Sequence, residues 1–331
     1  MSLVSVIIPY YQRKAGVLLG ALRGIANQDL PDGWRVEVII VDDGSPRPAR
    51  DEVRGAAFPP SVRFRIVEQE NRGAAAARNR GLDEASPETT LIAYLDSDDS
   101  WPRDHLALGI RAHELGHDFC FSDNRRAGHH TSHIKEGAPK TAAAISRASQ
   151  GHQFVELPAQ SLAGLIVEEF PTQASTVVHR REMAPGLRFD PRLGNCGEDV
   201  LYFVALASRA RHPCFNPTTV VECGSGFNVF FGRLDWENPS FMDIQLGYVK
   251  CYAAILRLSD LEPGARAICR SKLRRKRHDF AFHALRRTVK DRGRIPPQVR
   301  SIARDDRTTL LWFPAAMCRV LLLHPLRLYK P

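Results

Sequence analysis

The feature that most constrains the fold is an alternation of apolar and helical segments over the first 122 residues. Five short apolar runs indicate buried strands, and three stretches between them have helical periodicity or are rich in alanine. The apolar runs are residues 3–8, 36–41, 62–67, 90–95 and 118–122, and the helical stretches are 16–27, 73–85 and 102–115. Continuous apolar strands separated by helices are typical of a mainly parallel sheet covered on both faces. The pattern therefore predicts an α/β protein.

The composition is that of a soluble globular protein. Of the 331 residues, 44% are hydrophobic and 25% are charged, which is an ordinary balance for such proteins. The seven cysteines are scattered and form no Cys-x-x-Cys pair, which argues for a reducing compartment and against a disulfide framework or structural zinc. No signal peptide is visible at the amino terminus, so the expected location is the cytoplasm.

The fourth apolar run ends in three carboxylates, Asp96, Asp98 and Asp99. Carboxylates so close together repel one another, and burying any of them is costly unless positive charge lies among them. Mg²⁺ or Mn²⁺ would supply that charge, because these ions accept carboxylate oxygen and keep coordination positions for phosphate. Open α/β sheets also place their ligands at the carboxyl ends of strands. The segment therefore predicts a divalent metal that carries a phosphate-containing ligand.

Two earlier strand ends carry groups suited to a nucleotide. Pro9, Tyr10 and Tyr11 follow the first strand, where an exposed aromatic ring could stack on a base, although a packed tyrosine pair would explain the same residues. Asp42 and Asp43 follow the second strand. Their carboxylates could accept hydrogen bonds from a base or a ribose, or could serve only as an Asx turn or helix cap.

Two helix starts supply further candidates. Arg72 and Arg78 flank the start of the alanine-rich helix, from which their guanidinium groups could reach phosphate or could simply face solvent. Glu198 and Asp199 precede an apolar helical stretch. Acids at that position complement the helix dipole. Alternatively, one of them acts as a general base that takes the proton of an attacking hydroxyl.

The C-terminal third is basic and mostly helical. Helices are predicted at 241–258, 265–289 and 308–323, and residues 270–294 are rich in arginine. Such a region suits a phosphate-rich partner, that is an anionic membrane, a nucleotide or a nucleic acid, or it is a solvated helix face. The apolar segment 308–328 contains Pro314, Arg319 and Pro325, so we expect an interfacial or core helix rather than a transmembrane one.

Two segments lack a regular pattern. Residues 123–150 show no convincing period, and we expect a long loop or irregular insertion there. The glycine-containing segment 224–228 is a candidate for a loop that closes over a bound ligand.

The order and spacing of these motifs resemble the family 2 glycosyltransferases, the large inverting group with the GT-A fold. The matching segments are SVIIPYYQR (5–13), IIVDDGS (39–45), ENRGAAAARNRGL (70–82), YLDSDDSWPRDHL (94–106) and GEDV (197–200). The resemblance covers about residues 3–210. It implies a GT-A type, Rossmann-like, mainly parallel sheet flanked by helices, with a mostly helical C-terminal extension. It further implies a catalytic domain at 1–212 and a basic helical region at 213–331.

The resemblance also implies roles for individual residues. Those expected to bind the nucleotide sugar are Pro9, Tyr10, Tyr11, Asp43, Arg72, Arg78, Asp96 and Asp98. A divalent cation, Mn²⁺ or Mg²⁺, is expected at Asp98 and Asp99, with the direct ligand left open between the two. Asp199 corresponds to the catalytic base of the family, and Glu198 is its neighbour.

The implied function is transfer of a sugar, with inversion, from a nucleotide-diphosphate sugar to a hydroxyl acceptor. We expect a UDP-sugar donor, a saccharide or lipid-linked acceptor of surface-polysaccharide synthesis, and a hexosyltransferase that adds one sugar, because the Q-x-x-R-W motif of processive synthases is absent. The expected partners include an anionic membrane at the inner face of the plasma membrane and exclude nucleic acid. The alternatives are a sugar-phosphate nucleotidyltransferase and a non-catalytic protein that binds membranes or nucleic acids.

Overall fold

One mixed sheet of eight strands forms the centre of the protein. The computed structural model describes residues 2–54, 58–148, 153–194, 196–224, 235–238 and 240–323. The strands are β1 (Ser2–Tyr10), β2 (Trp34–Asp43), β3 (Val62–Gln69), β4 (Thr89–Tyr94), β5 (Phe119–Arg126), β6 (Val155–Glu156), β7 (Val177–Arg180) and β8 (Pro213–Cys223). Their order across the sheet is β3-β2-β1-β4-β7-β5-β8-β6.

Helices cover both faces of this sheet. They are α1 (Val17–Ala26), α2 (Ala49–Val53), α3 (Ala74–Glu84), α4 (His105–Glu114), α5 (His133–Gly137), α6 (Pro139–Ala148), α7 (Ala159–Glu169), α8 (Glu198–Ala207), α9 (Phe241–Ile255), α10 (Pro263–Lys290), α11 (Pro297–Asp305) and α12 (Phe313–Leu323). Short 3-10 turns lie at Ala174–Thr176, Arg181–Met183, Pro191–Leu193 and Arg307–Trp312. The predicted α/β class and the helical C-terminal extension are confirmed.

The first four strands are parallel, as the alternating pattern predicts. β1 pairs with β2 and β4, and β2 pairs with β3. Val6 and Ile8 of β1 belong to the core on one face of the sheet, and Ile7 belongs to the core on the other face. Burial on both faces explains why this strand is continuously apolar. The parallel arrangement brings the carboxyl ends of β1, β2 and β4 to one edge.

The second half of the sheet is mixed. β7 lies antiparallel between β4 and β5, and β8 runs parallel to β5 and antiparallel to β6. The sheet therefore continues past residue 212, the predicted domain boundary, to the end of β8. Whether the chain divides into two domains near that point stays a prediction.

The prediction of an irregular segment at 123–150 is wrong, because β5 extends to Arg126 and α5 and α6 follow. α6 buries only Thr141 completely, and alanines form much of its partly buried side. Its sequence therefore offers few large apolar side chains that would mark the buried face of the helix. Its amino terminus is capped from a distance, since the Glu169 carboxylate accepts hydrogen bonds from the backbone N–H groups of Lys140 (2.8 Å) and Thr141 (2.8 Å). A cap supplied by another helix leaves no local sequence signal.

The C-terminal helices extend the core of the sheet. Ile255 of α9 and Ala265 and Cys269 of α10 belong to the same apolar cluster as Ile7 of β1. Within residues 308–323, Ala316 and Val320 pack on α10, whereas Leu311 is 78% exposed. In the described residues, none of the helices combines the length and apolarity needed to span a bilayer. Residues 324–328, and 225–228 of the candidate loop, lie outside the described residues.

Candidate active site

The end of β1 places one of its two tyrosines in the core and the other at the surface. Tyr10 is 1% exposed and belongs to the apolar cluster that contains Ile8 and Leu18. Tyr11 is 38% exposed, and Pro9 is half-buried. The prediction that Tyr10 stacks on a base does not hold, because core side chains enclose its ring. Tyr11 presents the aromatic surface at this strand end.

Gln12, a buried residue just after β1, connects three strand ends through its backbone and its side chain. Its backbone N–H donates to Ser45 Oγ (2.6 Å), and the Ser45 hydroxyl donates back to the Gln12 carbonyl (2.9 Å). Its side-chain amide donates to Ser97 Oγ (3.1 Å) in the carboxylate segment after β4. The sequence motif contains Gln12, but its pattern gives no sign of this connecting role.

Asp43 organises the segment before α3. Its buried carboxylate accepts hydrogen bonds from the Gln69 side chain (2.7 Å) and from the backbone N–H groups of Arg72 (2.9 Å) and Gly73 (2.8 Å). Asp42 accepts two backbone N–H groups of the turn that follows it. The side chain of Arg72 is exposed. The DDGS segment thus holds its own turn and the start of α3 next to the end of β1.

The three carboxylates after β4 differ in their surroundings. The side chain of Asp96 is 29% exposed, Asp98 is half-buried, and Asp99 is 3% exposed. One oxygen of Asp99 accepts from the Ser175 hydroxyl (2.6 Å) and from the Gln173 side-chain amide (3.0 Å). Burial and the charges of Asp96 and Asp98 raise the pKa of Asp99.

The end of β8 holds the other side of this carboxylate segment. Ser100 and Glu222 exchange two backbone hydrogen bonds, of 2.8 and 3.1 Å. The backbone N–H of Gly224 donates to the second oxygen of Asp99 (2.9 Å). A Cβ atom at position 224 would lie 1.9 Å from the Asp98 carbonyl oxygen, so the approach requires glycine. Protein donors therefore engage both oxygens of Asp99.

Arg78 joins the carboxylate segment to the start of α8. Its buried guanidinium group lies 2.8 Å from Asp96 and 3.5 Å from Glu198, and it stacks over the ring of Phe189. Burial opposes the positive charge, but Asp96 and Glu198 outweigh it and raise the pKa of Arg78. Arg78 lies between the half-buried Asp96 and the buried Glu198. Removing either acid would leave the buried cation less well compensated, which is costly.

Asp199 lies in the first turn of α8, beside this ion pair. Gly197 starts the helix with a left-handed φ of 87°, and the Asp199 carboxylate accepts from the backbone N–H of Val200 (2.8 Å). Burial raises the pKa of Asp199, and Arg78 opposes that rise. Burial and the Asp199 charge likewise raise the pKa of Glu198. A carboxylate with a raised pKa is a stronger proton acceptor, as a general base requires.

The acidic residues suit a metal ion that arrives with phosphate. Within the part of the chain that the structure describes, no three His, Cys, Asp or Glu side chains are placed to hold a metal ion by themselves. Mg²⁺ and similar ions at nucleotide sites commonly use one or two carboxylates together with substrate phosphates. Asp96 and Asp98 at the carboxyl end of β4 meet that requirement.

The predicted residues thus gather at one edge of the sheet, with two exceptions. Pro9, Tyr11, Asp43, Arg78, Asp96, Asp98, Asp99, Glu198 and Asp199 lie at strand ends or on helices joined by the contacts above. Tyr10 points into the core, and Arg72 contributes its backbone rather than its guanidinium group. Sequence reasoning missed Gln12, Gln173 and Ser175, and only strand pairing places the last two beside the carboxylates.

The sequence is similar to known proteins. It matches the model of the family described as Glycosyl transferase family 2 over residues 5–153. It is 30% identical over 247 residues to the succinoglycan biosynthesis protein ExoW of Rhizobium meliloti (strain 1021), covering 74% of this chain and 76% of that protein. It is 34% identical over 104 residues to the minor teichoic acid biosynthesis protein GgaA of Bacillus subtilis (strain 168), covering 31% of this chain and 23% of that protein.

Solved structures share the fold at low sequence identity. TarS 1–349 of S. aureus in complex with UDP-GlcNAc has a TM-score of 0.58 at 17% identity, covering 86% of this chain and 81% of that one. The mannosyltransferase PcManGT of Pyrobaculum calidifontis, in complex with GDP-Man and Mn²⁺, has a TM-score of 0.56 at 18% identity, covering 96% and 86%. The sheet and its flanking helices are therefore an architecture that known proteins also adopt.

Proposed function

The chain belongs to the family 2 glycosyltransferases and is a nucleotide-sugar glycosyltransferase of the GT-A fold, and on this premise we propose a mechanism for it. A sugar moves, with inversion, from a UDP-sugar to a hydroxyl of a saccharide or lipid-linked acceptor. The observation that carries the proposal is the buried Arg78, which joins Asp96 on the donor side to Glu198, the neighbour of Asp199. Donor and acceptor chemistry therefore meet at one ion-paired centre.

Asp199 is the general base in this proposal. Its carboxylate takes the acceptor proton while the acceptor oxygen attacks the anomeric carbon, and the bond from that carbon to the nucleotide diphosphate breaks. Attack from the face opposite the leaving group inverts the configuration. The raised pKa of Asp199 supports this role, and Glu198, held by Arg78, keeps the start of α8 in place.

Asp98, rather than Asp99, is the proposed metal ligand. Asp99 is 3% exposed and both of its oxygens accept hydrogen bonds from protein groups, whereas Asp98 is half-buried and so more accessible to an ion that arrives from solvent. A divalent cation bound there with the donor would stabilise negative charge on the departing diphosphate. The relative PcManGT is described with GDP-Man and Mn²⁺, and TarS with UDP-GlcNAc; these ligands support a nucleotide-sugar site with a metal.

Donor hydrolysis tests this assignment without a known acceptor. A panel of UDP- and GDP-sugars is incubated with the protein and Mn²⁺ or EDTA, and both hydrolysis and thermal stabilisation are measured. We expect metal-dependent stabilisation that Asp98→Asn abolishes. Asp199→Asn should keep that stabilisation but lower hydrolysis about 100-fold or more, the usual size of a general-base contribution.

Asp51→Asn, a change at an exposed carboxylate of α2, is the matched control and should behave as wild type. Donor stabilisation that persists in EDTA, or wild-type hydrolysis in Asp199→Asn, would contradict the assignment.

An anionic membrane surface is the second proposed partner. Residues 263–323 contain 16 Lys and Arg against 4 Asp and Glu, whereas the remaining residues contain 30 against 33. Arg270, Arg274 and Arg275 are exposed on α10. On the same side of α10, one turn after Arg274, His278 contacts Trp312. One turn further, Phe282 packs with Ala316. The exposed arginines therefore adjoin the segment that exposes Leu310, Leu311 and Met317.

Such a surface, with cations beside exposed apolar side chains, suits the interface of an anionic bilayer. It would place the enzyme at the inner face of the plasma membrane, beside a lipid-linked acceptor. Co-sedimentation with phosphatidylglycerol vesicles should fall in a triple Arg270, Arg274 and Arg275 to Gln variant. The control changes Arg63, Arg147 and Arg211, three exposed arginines elsewhere, to Gln; an equal loss in both triple variants would count against the surface.

A further inference from the structure

The 3-10 turn Ala174–Thr176 lies directly beside the carboxylate segment because of strand pairing. In the antiparallel ladder of β4 and β7, Leu91 pairs with Arg180 and Ala93 pairs with Val178. The same register, continued past the last ladder pair, sets Ser175 opposite Asp96. A hydrogen bond confirms that proximity, since the backbone N–H of Asp96 donates to Ser175 Oγ (2.9 Å).

The side chain of Gln173 faces the carboxylates in one fixed orientation. Its amide oxygen accepts from the backbone N–H of Ser175 (2.7 Å), so its NH₂ group points the other way. That NH₂ group lies 3.0 Å from an oxygen of Asp99 and 3.5 Å from an oxygen of Asp96. The amide therefore places a donor between two carboxylates that would otherwise repel each other.

Ser175 completes the arrangement from the buried side. Its hydroxyl donates to Asp99 (2.6 Å) while its oxygen accepts from Asp96. The indole N–H of Trp101 donates to the Ser175 carbonyl (2.7 Å) and fixes the backbone of the turn. Ser175 is fully buried and Gln173 is half-buried, so the two side chains act on Asp96 and Asp99 from within the fold.

We propose that Gln173 and Ser175 are positioning residues that set how tightly the Asp96–Asp99 segment binds the metal–diphosphate part of the donor. Neither side chain has to touch substrate in this inference, which rests on the proposed function. Groups that orient metal-binding carboxylates commonly change metal affinity 10- to 100-fold when they are mutated. The arrangement also explains how the four-residue segment 96–99, which directly follows a buried strand, can contain three acids.

Two variants remove these donors separately. Ser175→Ala deletes the hydroxyl, and Gln173→Met keeps the side-chain length but deletes the amide. Wild type and variants are titrated with Mn²⁺ at a fixed concentration of UDP or GDP, whichever stabilises the wild type, and thermal stabilisation is followed. Both variants should need about 10-fold more Mn²⁺ for half-maximal stabilisation, while hydrolysis at saturating Mn²⁺ and donor stays within about 3-fold of wild type.

Thr141→Val is the matched control. Thr141 is also a fully buried residue whose hydroxyl donates to a carboxylate, that of Glu169 (2.9 Å), but it lies on α6. The Mn²⁺ concentration that gives half-maximal stabilisation of Thr141→Val should equal that of the wild type, even if this variant is less stable. An unchanged Mn²⁺ requirement in Gln173→Met and in folded Ser175→Ala, or an equal shift in Thr141→Val, would overturn the inference. A wild type that binds neither UDP nor GDP with Mn²⁺ would overturn the proposed function as well.

Discussion

At the scale of single residues, Arg78 determines how the acids of the site share one positive charge. Its guanidinium group contacts Asp96 and Glu198 and lowers the pKa of Asp199, against the rise that burial causes. Asp96, Glu198 and Asp199 therefore all depend on a positive charge that α3 supplies. The sequence indicates an arginine near a nucleotide, but it does not indicate that this arginine bridges the two catalytic segments.

Replacing Arg78 should shift the pH dependence of turnover. The base must be ionised to accept a proton, so activity falls as the pH drops below its pKa. Loss of the nearby cation raises that pKa, and the acidic limb of kcat/KM for donor hydrolysis in Arg78→Met should move up by about one pH unit or more. Arg78→Lys keeps the positive charge, so the acidic limb of its kcat/KM profile should shift less.

The control for this change is Arg80→Met. Arg80 lies on the same helix but is exposed and pairs with Glu84 at the surface. An acidic limb that stays in place in a folded Arg78→Met variant would contradict the electrostatic role.

His105 should make the fold sensitive to acid. It is 3% exposed and stacks on Trp101, and burial lowers its pKa to about 3 from 6.5. Between these values the unfolded chain binds a proton that the native state does not, so stability falls as the pH drops below 6.5, by up to about 1.4 kcal/mol per pH unit. His105→Phe should make this dependence shallower in urea unfolding between pH 6 and 4, and the rest should persist because burial also lowers the pKa of His179 to about 4.

His129→Asn changes an exposed histidine and should retain the acid dependence of the wild type. A pH dependence in His105→Phe that matches the wild type would show that other groups cause the acid sensitivity.

At the scale of elements, the sequence predicts the features that depend on local residue patterns and misses those that depend on how strands pair in the sheet. β1, β2 and β4 are apolar because they are buried, and acids lie at the ends of β2 and β4, so the pattern reveals most of the parallel sheet and much of the site. β3 is mostly exposed and carries charged side chains. β8 contains Pro217 and an irregularity at 217–219 where its pairing register with β5 shifts, which hides it from any period-two pattern. Gln173 and Ser175 reach the site only through the register of β7 against β4.

The packing of α3 on β1 depends on a helix position without a side chain. A Cβ atom at Gly81 would lie 2.3 Å from Ile7 Cγ2, and both elements are buried there. Gly81→Ala should therefore lower the free energy of unfolding by about 2 kcal/mol, as overpacking in a tight core does, despite the better helix propensity of alanine.

Gly20→Ala is the control, because Gly20 also lies inside a helix but, apart from its own chain neighbours and helix backbone, no atom lies within 4 Å of its Cβ position. It should stabilise the protein by up to about 1 kcal/mol. Chemical denaturation measures both changes, and a stabilised Gly81→Ala would show that α3 can move away from β1.

At the scale of the whole molecule, the C-terminal helices share the core of the sheet but carry a different charge. Ile255, Ala265 and Cys269 complete the apolar cluster over β1, and the Lys272 ammonium group donates to the Glu168 carbonyl at the end of α7 (2.7 Å). The excess of positive charge lies in residues 263–323. The change in charge along the sequence suggests that residues 263–323 form a separate domain. The apolar cluster that these helices share with β1 instead joins them to the sheet.

This sharing predicts that the chain unfolds as one cooperative unit. A fragment of residues 1–212 lacks β8, which pairs with both β5 and β6, and lacks the helices that cover α7 and α8. Without them it exposes sheet backbone and apolar surface, so it should show no cooperative urea transition. The full chain should give coincident transitions by far-ultraviolet circular dichroism and tryptophan fluorescence.

A fragment of residues 1–306 separates this effect from the cost of truncation itself. It loses the turn Arg307–Trp312 and α12, which pack on α10 mainly through a small separate cluster that includes Ala316 and Phe282. It keeps the Asp306 carboxylate that pairs with Arg277 (2.8 Å), so its cooperative transition should persist. If instead residues 1–212 unfold cooperatively with native-like circular dichroism, the sheet can close without β8, and the boundary near 212 is a true division of the chain.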